Sequence, residues 1–280
     1  MRITYPSGDG PFPVIIFSHG AGGSKDCCTE LTHHWASYGY VTLQPTHADS
    51  IRLRRQQGER VGMREAVGDA VRDPAAGANR ARDASFLIDS FAELGRRVPA
   101  LKGKLDAKRI GMSGHSLGAY TAQLVAGAAV DAPGAKSARY TDERVRAFVL
   151  LSGKGRTRQE LRDHSWDQLT RPMMSMTGSL DPGGGGVHPE WKKEPFDFIP
   201  AGDKYHVFIE AANHMSFIGA RAPLRSAASQ DNAKTIFSYV LMATQAFWDA
   251  YLKSDAKAKA YLDSGALANY SDGGVTLYRK

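Results

Sequence analysis

Short unbroken apolar runs alternate along this chain with longer stretches whose apolar residues recur every three or four positions. Val14-Ile-Ile-Phe17, Tyr40 to Gln44, Lys108 to Met112, Ala147-Phe-Val-Leu-Leu151, Pro172 to Thr177 and Lys204 to Glu210 are of the first kind. Such a run, bounded by polar residues, reads as a strand covered on both faces. Helices are expected from Asp26, as cap, to about Tyr38, and over Ala75 to Leu94, Ser116 to Val130, Asp231 to Leu252 and Asp255 to Leu267. Ile3 to Tyr5 and Val275 to Tyr278 read as further strands. Strands alternating with helices argue a doubly wound, mostly parallel α/β sheet, in one domain spanning residues 1–280.

Two connections break the rhythm. Pro45 to Pro74 is long, polar and studded with arginine (Arg52, Arg54, Arg55, Arg60, Arg64, Arg72), with one helix expected around Met63 to Val71. A loop of that length in a compact domain is usually functional or disordered. Gly153 to Arg171 has room for a short helical stretch but not for a cap domain.

Composition narrows the picture. The 280 residues are 42% hydrophobic, enough for a large core, and no apolar run is long enough to span a membrane. The net charge of +7 comes from scattered basic residues without interleaved aromatics, so nucleic acid is not an expected partner. Cys27 and Cys28 are adjacent, poorly placed to bridge each other or a distant element, and read as packing residues. No charged-then-apolar leader and no disulfide framework make a cytoplasmic protein the default expectation, with a secreted or periplasmic one carrying a trimmed leader as the alternative. Nothing in the pattern fixes an oligomeric state.

The chemistry gathers at the strand ends, where open α/β sheets place their ligands. Gly114-His-Ser-Leu-Gly118 is a G-x-S-x-G between a strand and a helix, a turn that exposes the serine hydroxyl and needs glycine two residues to either side. Asp181 and His214 each follow a core strand, giving the chain order nucleophile, acid, histidine. Ser116 is therefore the expected nucleophile, His214 its base, and Asp181 the group that orients the imidazole. The backbone N–H groups of Leu117 and Ala21 are the expected donors to the oxyanion. His188 is the rival base, and Asp197 and Asp203 are the rival acids. His19-Gly-Ala-Gly-Gly-Ser24 is not a phosphate loop, since Lys25 stands where a third glycine is needed and no G-K-[ST] follows. No histidine–carboxylate spacing points to a metal.

Phe17-Ser-His-Gly-Ala-Gly-Gly23, the elbow, Thr177-Gly-Ser-Leu-Asp181 and Asn213-His-Met-Ser-Phe217 together resemble the predicted dienelactone hydrolase branch of the α/β-hydrolase superfamily. That branch lies near chlorophyllases, platelet-activating-factor acetylhydrolases and cutinase-like polyester hydrolases. Arg80-Ala-Arg-Asp-Ala-Ser-Phe-Leu-Ile-Asp89 is similar to the family's helix before the serine strand. The resemblance implies the α/β-hydrolase fold and a serine esterase without cofactor. Ser116 stands where true dienelactone hydrolases carry cysteine. Leu117 and Ser152-Gly-Lys154 stand where polyester hydrolases usually carry methionine and tryptophan.

The expected activity is hydrolysis of a carboxylic ester, small or polymeric, through an acyl-enzyme, with short acyl groups favoured by the missing cap. The alternatives are a lipase or cutinase-like polyester hydrolase with the same triad, and a non-catalytic scaffold that binds a ligand or partner.

Overall fold

In the computed structural model the described residues are all but 133, 158–159, 184–185 and 220–226, with the side chains of 227–229 also left aside. Eight strands form one sheet in the order β1-β3-β2-β4-β7-β8-β9-β10. They are β1 (Arg2–Thr4), β2 (Phe12–Ser18), β3 (Val41–Gln44), β4 (Leu105–His115), β7 (Val145–Leu151), β8 (Met173–Leu180), β9 (Lys204–Asn213) and β10 (Val275–Arg279). The six inner strands run parallel, while β1 and β10 pair antiparallel at the two edges. A small hairpin of β5 (Val130–Ala132) and β6 (Ala135–Ala138), not expected from the sequence, stands apart.

The apolar runs are strands because they have two faces to cover. Val14 and Ile16 pack into one core while Ile15 and Phe17 pack into the other; Phe148 and Leu150 divide from Val149 and Leu151 in the same way. The first core is closed by α4 (Ala76–Asp89) and α6 (Leu117–Ala126). Across the sheet, α1 (Thr29–Ser37) and the long α8 (Ala227–Leu252) close the second, where Trp35 donates to Thr244 Oγ1 at 3.0 Å and meets Trp248 edge-on. Each fully buried residue of this size contributes roughly 1.5–3 kcal/mol of apolar transfer.

Several boundaries differ from the expectation. The stretch 45–74 holds two helices, α2 (Ile51–Gln56) and α3 (Met63–Arg72). Its arginines fasten it locally: Arg52 pairs with Asp26, Arg54 with Glu59 and Asp69, and Arg55 donates to the Val61 carbonyl. Asp26 does not cap α1, because Cys28 occupies that position in a left-handed conformation with φ 58° and Asp26 is drawn to Arg2 and Arg52. The helix expected over Ala75 to Leu94 is divided at Ser90, whose hydroxyl turns back to the Phe86 carbonyl, into α4 and α5 (Phe91–Arg97). The C-terminal stretch is likewise two helices, α9 (Ala256–Asp263) and α10 (Ala266–Tyr270), split at Gly265 with φ 73°. Between Gly153 and Arg171 the one described helical element is a 3-10 turn, Asp163–Trp166. A similar turn, Pro189–Lys193, and the short α7 (Glu194–Phe198) lie between β8 and β9. Of the glycine run 183–186, Gly184 and Gly185 lie outside the described residues. No helix among the described residues is long and apolar enough to cross a membrane.

Candidate active site

Ser116 sits at the end of the central strand β4, one residue before α6, with φ 56° and ψ −116°. A non-glycine residue tolerates such a backbone only where its surroundings over-determine it. Here the over-determination is close packing. A Cβ on Gly118 would stand 1.9 Å from the Ser18 carbonyl oxygen, and one on Gly114 would stand 2.3 Å from the Gly118 carbonyl carbon and oxygen. The Ser116 N–H is held by the Leu151 carbonyl at 2.9 Å. The elbow is thus wedged between β2 and β7, with the positive end of the α6 dipole behind the serine.

The loop after β2 lies against it. A Cβ on Gly20 would be 3.6 Å from Ser116 Cβ. Arg80, only 1% exposed, clasps this loop from α4. Its Nη1 donates to the His19 carbonyl at 2.5 Å and its Nη2 to the Gly20 carbonyl at 3.2 Å. The same guanidinium forms a two-pronged pair with Asp49, whose Oδ2 also accepts from the Gly22 N–H at 3.0 Å. Polar groups on both sides of Ala21 are therefore committed. The N–H groups of Ala21 and Leu117 themselves have no hydrogen-bond partner among the described residues.

His19 completes the clasp. Its Nδ1–H donates to the Gly20 carbonyl at 2.7 Å and its Nε2 accepts from the His47 N–H at 3.0 Å, the pattern of a neutral ring. Burial, reinforced by the Arg80 charge, pushes its pKa down to about 3. His47 in turn joins Ser18 Oγ at 2.9 Å and Asp83 Oδ2 at 2.7 Å. This second Ser-His-Asp chain is closed to solvent at Ser18, which is fully buried, so it braces the loop.

Asp181 and His214 come together beyond β8 and β9, with Oδ1 and Nδ1 3.0 Å apart. Asp181 is fully buried, and its Oδ2 accepts from Thr177 Oγ1 at 3.0 Å. Burial alone would raise its pKa, but the hydrogen bond from His214 and the charge and hydrogen bond of Lys192 outweigh it and hold the carboxyl at about 2. His115, the residue before the serine, donates from Nε2 to the His214 carbonyl at 2.8 Å and tilts its ring against that imidazole. Complete burial keeps His115 neutral, with a pKa near 3. No hydrogen bond joins Ser116 Oγ to His214 among the described residues; such bonds are often long without substrate and tighten only when it binds.

Ser116, Leu117 and His214 open on one cleft of about 570 Å³, walled by Val71, Tyr120, Val187 and Trp191. The nearby cations are already paired, Lys154 with Glu160 and Arg156 with Asp163 and Glu194. A hollow of about 690 Å³ bordered by Phe91, Leu101 and Leu105 lies at the opposite end of β4 and holds no such pair. No group of three or more His, Cys, Asp or Glu side chains among the described residues is arranged to hold a metal ion.

Residues 4–60, which include β2 and the loop clasped by Arg80, match the family described as platelet-activating factor acetylhydrolase, isoform II. Among solved structures, a ferulic acid esterase from Streptomyces cinnamoneus is similar with a TM-score of 0.61 and 20% identity, covering 97% of this chain and 75% of that one. The fold is the α/β-hydrolase fold. No curated protein matches the chain.

Within this α/β-hydrolase fold the rival residues lie elsewhere. His188 is exposed and faces Glu190 at 3.8 Å; Asp197 pairs with Lys193, and Asp203 meets Tyr251 and Lys259. Two close neighbours of the Asp181–His214 pair were not foreseen. Ser152, at the end of β7 with φ 51°, places its Oγ 3.0 Å from Asp181 Oδ1 and 2.7 Å from His214 Nδ1. Lys192, 4% exposed, donates from Nζ to Asp181 Oδ1 and, at 2.7 Å, to Ser152 Oγ. Ser152 carried a signal, since it too follows a core strand. Lys192 carried none, lying in a connection whose fold no periodicity announces. The two cysteines form no disulfide; their thiols share a hydrogen bond, Sγ to Sγ 2.6 Å, with Cys27 partly exposed and Cys28 buried.

Proposed function

We propose that the protein is a carboxylic-ester hydrolase working through an acyl-enzyme on Ser116. The observation that carries this reading is the strained, glycine-wedged Ser116 opening on the same cleft as His214, which is paired behind with the buried Asp181. His214 takes the Ser116 proton as the oxygen attacks the ester carbonyl, and returns it to the leaving alcohol. Asp181, ionised, holds the imidazole tautomer and stabilises the imidazolium without taking the proton. The N–H groups of Ala21 and Leu117 receive the tetrahedral oxyanion, at positions set before substrate arrives. Water, activated by the same His214, then releases the acid. The family matched by residues 4–60, an acetylhydrolase by name, and the similar solved structure, an esterase by name, support ester cleavage.

Short acyl groups are the proposed substrates. Among the described residues no cap domain covers the cleft, and each methylene left in water forfeits up to about 0.8 kcal/mol of transfer energy. A compact aromatic acyl group is the second reading, favoured by Trp191 and Tyr120 in the walls and by the ferulic acid esterase likeness. The test pairs a fluorophosphonate probe with p-nitrophenyl esters from acetate to palmitate and a hydroxycinnamate ester. Wild type labels and Ser116→Ala does not, with turnover greatest at two to four acyl carbons. Unchanged labelling of Ser116→Ala removes the nucleophile assignment; a maximum at twelve carbons or more makes the protein a lipase.

A further inference from the structure

Lys192 places a cation directly on the Asp181–His214 pair. Its Nζ is paired with Asp181 Oδ1 and lies 3.2 Å from His214 Nδ1. Ser152 Oγ completes the set, accepting from Lys192 at 2.7 Å while its own hydroxyl hydrogen reaches Asp181 at 3.0 Å. The carboxylate opposite the base is therefore surrounded by an ammonium, two hydroxyls and the imidazole. An isolated Asp–His pair attracts a proton to the imidazole; an adjacent ammonium repels it.

Among the described residues, the charged or titratable groups facing His214 come from three elements. Asp181 approaches from the end of β8 and Lys192 from the Pro189–Lys193 turn, while His115, at the end of β4, is neutral through burial. Lys154 and Arg156, which line the same cleft, are closed in pairs with Glu160 and with Glu194 and Asp163. Lys192 is thus the one cation in contact with the imidazole among the described residues. Burial lowers its pKa, the Asp181 charge opposing that shift.

We propose that Lys192 is a positioning residue that caps the charge of Asp181 and so keeps His214 in its proton-accepting form to lower pH. The proposal rests on the reading of Ser116 and His214 given above. It has two consequences for the reaction. In the free enzyme the base stays ready at pH values where an uncapped triad would already be protonated. After attack, the imidazolium lies beside a cation and gives its proton more readily to the leaving alcohol.

The experiment measures kcat/KM against pH for a soluble p-nitrophenyl ester, using the full chain, with near-UV circular dichroism at each pH to mark where each protein stays folded. Lys192→Met removes charge and donors while keeping the stem; Lys192→Gln removes the charge but keeps a donor; Lys192→Arg keeps the charge. The acid limb is expected to rise by about one pH unit or more in the Met and Gln variants and to stay within about 0.3 unit in Arg, one unit being the size for a neighbouring unit charge screened as fully as in bulk water. Plateau KM is expected to change less than about threefold in all three. A limb that coincides with wild type in both Met and Gln overturns the proposal. So does a limb that moves in Met alone, because the role is then hydrogen bonding and not charge. Ser116→Ala accompanies the series: hydrolysis undiminished in that variant condemns the nucleophile assignment, whereas its loss together with unmoved limbs condemns only the role of Lys192.

Discussion

Gly118 and Ser18 are in such close contact that the first atom of any side chain on Gly118 would stand 1.9 Å from the Ser18 carbonyl oxygen. The helix carrying the oxyanion donor Leu117 thus presses directly on the strand that ends in the Ala21 loop. Gly118→Ala is expected to cost about 3 kcal/mol or more, because backbone must yield on both sides. Gly95→Ala, in α5, is the matched control: its new Cβ meets nothing nearer than the Leu101 carbonyl at 3.9 Å. The control is expected to gain up to about 1 kcal/mol in helix propensity. Urea unfolding of the two variants checks both signs, and equal midpoints would refute the contact argument.

The proposed roles of Asp181 and His214 separate from those of their rivals. His214→Ala is expected to lower kcat by several orders of magnitude, and Asp181→Asn by about 10⁴, as the wrong tautomer of the base is then favoured. His188→Ala and Asp203→Asn are expected to stay within about tenfold, roughly 1.4 kcal/mol of barrier. Single-turnover kinetics on a soluble ester decides the matter; comparable losses in His188→Ala would place the base elsewhere.

The inner strands themselves and the elbow were legible because each is encoded locally. A double-faced strand needs an unbroken apolar run, and Gly114 and Gly118 flank a turn that no larger residue fits. Asp181 and His214 were legible for a different reason: each is the polar residue that directly follows a core strand. Lys192 was not. Its partners are 11 and 40 residues away for Asp181 and Ser152, and only the closure of the β8–β9 connection brings them together. Arg80 was visible as part of a family-like segment, but its clasp on the carbonyls of His19 and Gly20 depends on how α4 crosses the sheet. The division of 45–74 into two helices depends on ion pairs such as Arg54 with Asp69, which hydrophobic periodicity does not register.

Arg80→Met is expected to loosen the loop that presents Ala21. Losing one oxyanion donor costs about 10²–10³ in kcat elsewhere, and a loosened one is expected to cost about 10–100-fold with little change in KM. Stability falls too, by about 3–5 kcal/mol, since Asp49 is left as a largely buried charge without its partner. Arg80→Lys is expected to restore neither, because an ammonium cannot span the Asp49 oxygens and two carbonyls at once. Adding Asp49→Asn to Arg80→Met is expected to recover stability but not kcat, which steady-state kinetics and thermal unfolding distinguish.

Acid is expected to destabilise the fold before it protonates Asp181. His19, His115 and His206 are held neutral by burial, each with a pKa pushed down to about 3 from 6.5. Between those values the unfolded chain binds more protons than the folded one, so stability rises with pH and is lost as pH falls below about 6.5. Each such histidine contributes a slope of up to about 1.4 kcal/mol per pH unit. The contribution of Asp181 has the other window: its folded value of about 2 lies below its ordinary 3.8, so its stabilisation is complete above 3.8 and is lost progressively as pH falls from there through about 2. His206 lies in β9 beside Ser175, away from the cleft. His206→Gln is expected to flatten the urea-midpoint profile between pH 7 and pH 5 by one histidine's share, and an unchanged slope would refute the assignment.

The cleft is built from independent excursions of the chain. Val71 arrives on α3, Lys154 and Arg156 on the segment after β7, and Val187 and Trp191 on the β8–β9 connection. The α3 excursion is fastened by Arg54 to Asp69, while Trp191 Nε1 donates to the Arg156 carbonyl and joins the other two walls. For protein engineering this makes the binding surface modular. The α3 segment can be exchanged to reshape one side for a different acyl group if Ala66, Val67 and Ala70, which pack on Gly22 and the core, are kept. The other side is best transplanted as a matched pair of segments, leaving the elbow on its rigid central strand.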